Sequence, residues 1–243
     1  MSKANLISAT WPVPSHIRAF TTTRRGGVSR PPYESWNLAS HVGDLYQDVV
    51  ANRAQLPVPR PITWLEQVHG KQVIELPTSS NNQPLKADAC FTRAKRVPCA
   101  VLTADCLPVF VTNSAASVVG IAHAGWRGLG AGVIEALLVA LAEPSESLFA
   151  YLGPAIGSEA FEVGIETRDF FVHQHPQDAV AFQPAGPRKW IADLYLLARQ
   201  RLHRAGVQRI YGGEYCTYTQ SDLFFSYRRE GVTGRMASLV WLV

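Results

Sequence analysis

Cysteine is scarce in this chain, and its few cysteines do not form a disulfide framework. The 243 residues contain four, at irregular spacings and without a C-x-x-C pair: Cys90, Cys99, Cys106 and Cys216. Small secreted proteins held together by disulfides have many cysteines in a short chain. We therefore expect free thiols, and we expect Cys90 and Cys99 to be buried because their neighbours are apolar or strand-like.

Charge and long apolar segments are also lacking. Charged residues make up 17% of the chain, and the net charge of +4 is spread over single positions. A nucleic-acid surface needs clustered basic residues, a membrane-spanning helix needs about 20 apolar residues in a row, and residues 1–10 lack the pattern of a signal peptide. We therefore expect a cytoplasmic protein without a nucleic-acid, membrane or protein partner.

The pattern of apolar residues predicts alternating helices and strands. No internal repeat is evident, and a chain with 47% hydrophobic residues can fill one large core, so we predict a single domain over residues 1–243. Helical periodicity is found over 44–56, 131–142 and 190–205. Strand-like segments cover 62–68, 71–76, 97–110, 117–125, 148–152, 207–211 and 237–243. Hairpins mixed with helices indicate an α+β (mixed α/β) fold with mixed sheets.

Three motifs bring metal-type ligands to separate segments. Q-V-H-G places His69 at a predicted turn, T-A-D-C-L-P contains Cys106, and I-A-H-A-G-W-R-G contains His123. One thiolate and two imidazoles are typical of catalytic zinc sites, which keep a fourth position open. The spacing is long, however, and it equally fits histidines and a buried thiol that bind no metal.

Asp105 and Arg127 lie beside these ligands in the sequence. Asp105 can act as a general acid or base only if the chain turns there; its alternative is to accept hydrogen bonds from turn amides. Segment 125–132 is rich in glycine and precedes a predicted helix, so the amides of Gly128 and Gly130 together with Arg127 would suit an anion. The alternative is a solvated arginine with glycines that allow close packing.

Two further clusters combine arginine with hydroxyl or aromatic residues. T-T-T-R-R-G-G-V-S contains Arg24, and F-F-S-Y-R-R contains Arg228 and Arg229. This mixture suits a phosphate next to a stacked ring. Surface arginines are common, so composition alone does not assign either cluster to a site.

Six ordered motifs resemble the YfiH family, also called the laccase-domain or multicopper-polyphenol-oxidase-like family and, in bacteria, peptidoglycan editing factor. They are Q-V-H-G, T-A-D-C-L-P, H-A-G-W-R-G, L-G-P-A-I-G, F-E-V-G and F-F-S-Y-R-R. The resemblance covers nearly the whole chain. It implies one α/β domain with mixed sheets between helices, an architecture shared with cytotoxic necrotizing factor toxins, and it implies that His69, Cys106 and His123 bind zinc, or copper for an oxidase activity.

The resemblance also implies chemistry on purine nucleosides. The expected reactions are phosphorolysis of adenosine, inosine, guanosine and methylthioadenosine, and deamination of adenosine. In that interpretation the catalytic residues are Asp105, Cys106 and Arg127. Arg24, Arg127, Gly128, Gly130, Arg228 and Arg229 would bind substrate or phosphate.

Three other functions are alternatives to purine nucleoside chemistry. Cys106 activated by His123 would suit a cysteine hydrolase. Copper-dependent oxidation of phenols needs many histidines in H-x-H pairs, whereas this chain has seven histidines and one such pair, His173 and His175, which a surface helix or loop explains more simply. Editing of peptidoglycan precursors is a further biological role for the same cleft.

Overall fold

The computed structural model of the protein describes residues 5–78 and 85–243. Over these ranges the helices are α1 Tyr46–Ala54, α2 Trp126–Ala131, α3 Val133–Leu141, α4 Ile165–Val172, α5 Leu194–Arg204 and α6 Tyr227–Glu230. The strands are β1 Leu6–Ser8, β2 Ile17–Thr22, β3 Leu65–Glu66, β4 Val73–Leu76, β5 Leu85–Lys86, β6 Ala89–Thr92, β7 Cys99–Thr103, β8 Leu107–Asn113, β9 Val119–Ala124, β10 Leu148–Leu152, β11 Glu162–Gly164, β12 Phe182–Gly186, β13 Lys189–Ala192, β14 Arg209–Gly212 and β15 Met236–Leu242.

Two sheets form the centre of the fold. An antiparallel sheet has the strand order β1-β2-β15-β7, and a mixed six-stranded sheet has the order β14-β10-β8-β9-β6-β4. In the larger sheet the outer pairs β14-β10 and β6-β4 are parallel, whereas the inner pairs are antiparallel. Smaller sheets have the orders β11-β13-β12 and β3-β5.

Alternating side chains divide the core into layers. On β15, Val240 and Leu242 face the six-stranded sheet and share one apolar cluster with its Val119 and Ile121. The intervening Leu239 and Trp241 pack on the opposite side, together with Trp36, Leu38 and Leu56. The other face of the six-stranded sheet is covered by the apolar faces of α3 and α5. Strand periodicity of two residues therefore gives both central sheets two buried faces.

The chain passes from one sheet to the other between β7 and β8. The connection is the turn 104–106, where Asp105 has a φ of 86°. Few residues other than glycine, asparagine and aspartate adopt this left-handed region. The predicted strand 97–110 is therefore broken at Asp105, and Cys106 lies at the boundary of the two sheets.

The mixed fold class predicted from the sequence is confirmed, and two further local predictions need correction. Segment 190–205 is helical only from Leu194, because Trp190 and Ile191 belong to β13 and the side chain of Asp193 caps α5 by accepting from the Leu196 amide at 2.8 Å. The strand-like segments 62–68 and 71–76, predicted on either side of the His69 turn, contain β3 and β4, which pair with β5 and β6 and not with each other.

Segment 24–44 has no regular helix or strand, and a buried polar network fixes it. Asn52 of α1 donates to Ser29 Oγ at 2.8 Å and to the carbonyl of Asn37 at 2.9 Å. Asn37 donates in turn to Asp44. Buried side-chain amides with satisfied partners can hold an irregular segment in one conformation. Within the described ranges, none of the helices has the length and apolar character needed to span a membrane.

Helix α3 provides a matched test of the packing. Leu137 is completely buried, whereas Val139 on the same helix is 80% exposed. We expect Leu137→Ala to lower the free energy of unfolding by about 2–5 kcal/mol, because it leaves a cavity between α3 and the sheet. Val139→Ala should change it by less than about 0.5 kcal/mol. Urea unfolding followed by circular dichroism measures both, and equal losses would contradict this account of the core.

Candidate active site

His69, Cys106 and His123 converge at one point. His69 lies in the turn before β4, Cys106 precedes β8, and His123 is near the end of β9. One ligand atom from each lies within 4.8 Å of the others, and the two imidazole centroids are 4.8 Å apart. His123 is buried, Cys106 is partly buried and His69 is exposed. The three ligands predicted from the sequence are thus brought together.

Gly125 makes this approach possible. A Cβ atom at this position would lie 2.8 Å from Cys106 Sγ and 2.9 Å from His69 Nδ1. The backbone of Gly125 has φ −63° and ψ 158°, which any residue can adopt. Glycine is therefore required here for the space next to the ligands and not for its backbone conformation.

The carboxylate of Asp88 orients two of the three ligands. Asp88 is fully buried directly before β6, and it accepts hydrogen bonds from the amides of Val68, His69 and Gly70 at 3.2, 3.0 and 2.7 Å. It also accepts from His123 Nδ1 at 2.8 Å. Because Nδ1 is used in this way, His123 presents Nε2 to the cluster. A carboxylate behind a histidine ligand is a common arrangement at metal sites.

The two histidines differ in protonation in the metal-free protein. Burial would lower the pKa of His123, but the Cys106 side chain and the hydrogen bond with Asp88 outweigh it and raise the pKa to about 9. Burial and the nearby His123 lower the pKa of His69, and the charges of Arg127 and Arg235 act in the same direction. Burial opposes ionisation of Asp88, yet the hydrogen bond from His123 and those from the turn amides lower its pKa.

This cluster fits a metal ion. The donor set is one sulfur and two imidazole nitrogens. The Asp88 carboxylate hydrogen-bonds to one of these imidazoles, and glycine at position 125 leaves room beside the ligands. Metal binding requires neutral imidazoles, so an incoming ion would displace the proton that His123 carries at neutral pH.

The cluster opens into a cleft of about 550 Å³. Its aromatic wall contains Trp126, Phe161 and Tyr227, and its cationic residues are Arg127, Arg228 and Arg235. Clefts of this size hold small organic molecules. The combination of rings and guanidinium groups suits a planar apolar group together with an anion.

Asp105 lines the cleft with its carboxylate oxygens already engaged. It accepts from Thr217 Oγ1 at 2.6 Å and from the Arg228 amide at 2.7 Å. Its carbonyl accepts from the Ile156 amide at 2.9 Å. These contacts correspond to the turn-stabilising alternative and hold the segment that carries Cys106.

The predicted anion-binding residues are divided between the cleft and other parts of the fold. Arg127 lines the cleft with its guanidinium over the Trp126 ring at 4.4 Å, and Arg228 lines it while donating to the carbonyl of Glu162 at 2.7 Å. Arg24 and Arg229 are not among the cleft residues. Arg24 forms an ion pair with Glu230 at 2.7 Å. Both Arg24 and Arg229 also donate hydrogen bonds to backbone carbonyls.

Gly128 and Gly130 also lie away from the cleft, because α2 begins at Trp126 with Gly125 as its N-cap and both glycines fall inside the helix. A Cβ on Gly128 would lie 2.9 Å from the carbonyl of Gly70, and one on Gly130 would lie 2.2 Å from the Phe170 ring. Their positions agree with the close-packing alternative.

Four residues at the site were missed by the sequence analysis: Asp88, Gln67, His41 and Arg235. The sequence does contain an indication of Asp88, because a carboxylate between Ala87 and Ala89 in an apolar segment needs hydrogen-bond or charged partners. Gln67 adjoins the Q-V-H-G histidine and pairs its amide with the Leu102 backbone at 2.8 and 2.7 Å. His41 and Arg235 have no local signal, since both reach the cleft only through the tertiary fold.

Substitution of Gly125 tests whether the three ligands act together. Gly125→Ala should fold but lose stoichiometric zinc binding, because the new methyl group occupies the space between Cys106 and His69. Gly70→Ala is the control, since its Cβ would meet nothing closer than 3.5 Å. Zinc content after dialysis and unfolding temperature are the measurements, and full zinc content in Gly125→Ala would contradict this geometry.

Substitution of Asp88 tests the orienting carboxylate. We expect Asp88→Asn to weaken zinc binding by about 10- to 100-fold. Since the pKa of Asp88 is lowered by folding, its carboxylate stabilises the protein above the ordinary range near pH 4, and this contribution is lost as the pH falls through the folded pKa. The stability gap between Asp88→Asn and the parent protein should therefore narrow in acid.

Asp178→Asn is the matched control for Asp88→Asn. Asp178 is also fully buried and accepts from Arg204 at 2.7 Å, but it lies outside the cleft. This variant should lose stability while its zinc affinity stays unchanged. Equal zinc affinity in Asp88→Asn and the parent protein would remove Asp88 from the site.

The chain is similar to several known proteins over most of its length. The family described as multi-copper polyphenol oxidoreductase laccase matches residues 18–243. A purine nucleoside phosphorylase YfiH of Escherichia coli strain K12 is 49% identical over the full length of both chains. A crystal structure of a Neisseria meningitidis DUF152 protein has a TM-score of 0.92 at 45% identity, covering 98% of this chain and 99% of the other. The YlmD structure from Geobacillus stearothermophilus has a TM-score of 0.87 at 31% identity, with 94% and 92% covered. The chain therefore belongs to the YfiH, laccase-like family, as its motifs predicted.

Proposed function

We propose that this protein is a zinc-dependent purine nucleoside phosphorylase that also deaminates adenosine. The observation that carries the proposal is the continuity of the His69, Cys106 and His123 cluster with a cationic, aromatic cleft. The name of the Escherichia coli relative supports phosphorolysis of purine nucleosides. Inosine, guanosine, adenosine and methylthioadenosine are the proposed substrates.

The cleft supports a nucleoside by shape and chemistry. A purine is planar and apolar on its faces, so it can stack on Trp126, Phe161 or Tyr227. In phosphorolysis, a phosphate oxygen bonds to C1′ of the ribose while the bond from C1′ to the purine breaks. Arg127, Arg228 and Arg235 would hold the phosphate near the sugar, and their charge would offset that of the dianion.

Zinc is the metal that the donor set supports best. His69, Cys106 and His123 would hold it, and when bound it would supply Lewis-acid polarisation or activation of a water. Within the described residues one group of three His, Cys, Asp or Glu ligands was found, whereas a multicopper oxidase needs several copper positions. Oxidation of phenols is thus less well supported than nucleoside chemistry.

The remaining catalytic assignment concerns Asp105. Both of its carboxylate oxygens accept hydrogen bonds from Thr217 and Arg228. We therefore propose that Asp105 holds the Cys106 turn in place, and that a proton reaches the purine from another donor or a water.

A cysteine hydrolase is the second candidate, and one observation favours it. Cys106, His123 and Asp88 form a series of thiol, imidazole and carboxylate, which is the order found in cysteine nucleophile sites. A thiol-directed electrophile followed by mass spectrometry separates the two functions. A zinc-bound Cys106 should be protected until chelator is added, whereas rapid labelling of zinc-loaded protein would favour the hydrolase.

Release of hypoxanthine from inosine tests the first proposal. Zinc-loaded protein should release hypoxanthine and ribose 1-phosphate only when phosphate is present, as measured by chromatography. Cys106→Ala and His69→Ala should lose activity by at least about 100-fold, which is a few kcal/mol in the barrier. Cys216→Ala and His203→Ala are controls outside the cleft and should keep it. Full activity in metal-free Cys106→Ala would contradict the metal-dependent mechanism.

A further inference from the structure

Arg235 lies in the cleft wall at the junction of several elements. It directly precedes β15, whose Met236 pairs with Thr103 immediately before the Cys106 turn. Its amide donates to Asn37 Oδ1 at 3.0 Å, and its carbonyl accepts from the Leu38 amide at 3.2 Å. The backbone of Arg235 is thereby fixed to the buried network that also holds segment 24–44.

The guanidinium of Arg235 is only partly used by the protein. Nη1 donates to the carbonyls of Thr233 and Gly234 at 2.8 and 3.0 Å. In the described ranges, neither Nε nor Nη2 has a protein acceptor, and no carboxylate forms an ion pair with this side chain. An arginine has five N–H donors, so the edge formed by Nε and Nη2 is free for a bidentate contact.

The side chain of Arg235 is partly buried. Burial lowers the pKa of Arg235, and the nearby Cys106 and Asp105 side chains oppose this effect without pairing with the guanidinium. His41 lies next to it on the cleft wall, and burial together with the charges of Arg235 and Arg53 lowers the pKa of His41, so this imidazole is neutral at pH 7. Among the described residues, the carboxylate that lines the cleft is that of Asp105, and it already accepts two hydrogen bonds. An unpaired, partly desolvated cation in such a place favours an anionic ligand.

The other two cleft arginines are less suited to this role. Arg127 is exposed and stacks on Trp126. Arg228 is exposed, and its Nη1 donates a hydrogen bond to the Glu162 carbonyl. Water screens charge at exposed positions more strongly than at buried ones. Arg235 is therefore the cleft arginine whose interaction with an anion would be strongest.

We propose that Arg235 is the main binding residue for inorganic phosphate in the cleft, with Nε and Nη2 donating to two phosphate oxygens and His41 beside them. The inference rests on the proposed phosphorolysis for its biological meaning. Binding of phosphate at Arg235 needs no turnover. Phosphate bound here would lie near the ligand cluster, because Arg235 lines the same cleft as His69, Cys106 and His123.

Kinetics with two variants test this assignment. Arg235→Gln removes the charge and the fork, and Arg235→Lys keeps the charge but not the two-point contact. Loss of a charged, bidentate contact should raise the KM for phosphate by about 10- to 100-fold in Arg235→Gln, and by less in Arg235→Lys. The KM for inosine should change less than about threefold in both. An unchanged phosphate KM in Arg235→Gln, or equal increases in both constants, would overturn the proposal.

Equilibrium binding separates this inference from the proposed function. Titration of the zinc-loaded protein with inorganic phosphate in a calorimeter needs no catalysis, and thermal unfolding checks that each variant is folded. Arg18→Gln, an exposed arginine on β2, is the control and should bind phosphate like the parent protein. Weaker binding in Arg235→Gln, with no phosphorolysis in any sample, would retain the phosphate site and reject the phosphorylase. Equal binding in Arg235→Gln and the parent protein, or no binding to either, would reject the phosphate site itself.

Discussion

The hydrogen bonds to the buried carboxylate of Asp88 are the interaction on which the rest of the site depends. Three of them fix the turn that carries His69, and the fourth fixes the tautomer and orientation of His123. A carboxylate without partners would be very costly at a fully buried position. Here the same partners that offset this cost are the segments that carry the ligands. The same hydrogen bonds therefore stabilise the buried Asp88 and arrange the ligand cluster.

The second constraint is the arrangement of the two central sheets. His123 belongs to a strand of the six-stranded sheet, and Gln67 ties the His69 turn to Leu102 of the four-stranded sheet. Cys106 lies where the chain passes from one sheet to the other, in a turn that Asp105 anchors to Thr217 and α6. The cleft therefore opens at an edge shared by both sheets, and small shifts between them would change the distances among the ligands.

Local motifs indicated the residues of the His69, Cys106 and His123 cluster because histidine and cysteine are rare in this chain. The same approach was less informative for arginine. Arg24 and Arg229 have suitable chemistry, yet their donors are used by nearby carbonyls and by Glu230, and no local pattern shows this. Arg235 reaches the cleft through pairing between β15 and β7, which are far apart in sequence. Sequence patterns thus identify which side chains are capable of chemistry, while long-range strand pairing decides which of them meet.

In a chain with few cysteines, a metal ion in the ligand cluster could take the stabilising role that disulfides have elsewhere. A metal ion held by His69, Cys106 and His123 would join three segments that are distant in the chain. Because the site forms only in the folded chain, binding of the ion would stabilise the folded state, a role that disulfides fill in many secreted proteins. The ion would then act as a cross-link that reductants do not break. The resistance of the protein to heat, denaturant and proteases would rise with the free metal concentration. The proposed activity and the stability of the folded chain would then both depend on the free metal concentration.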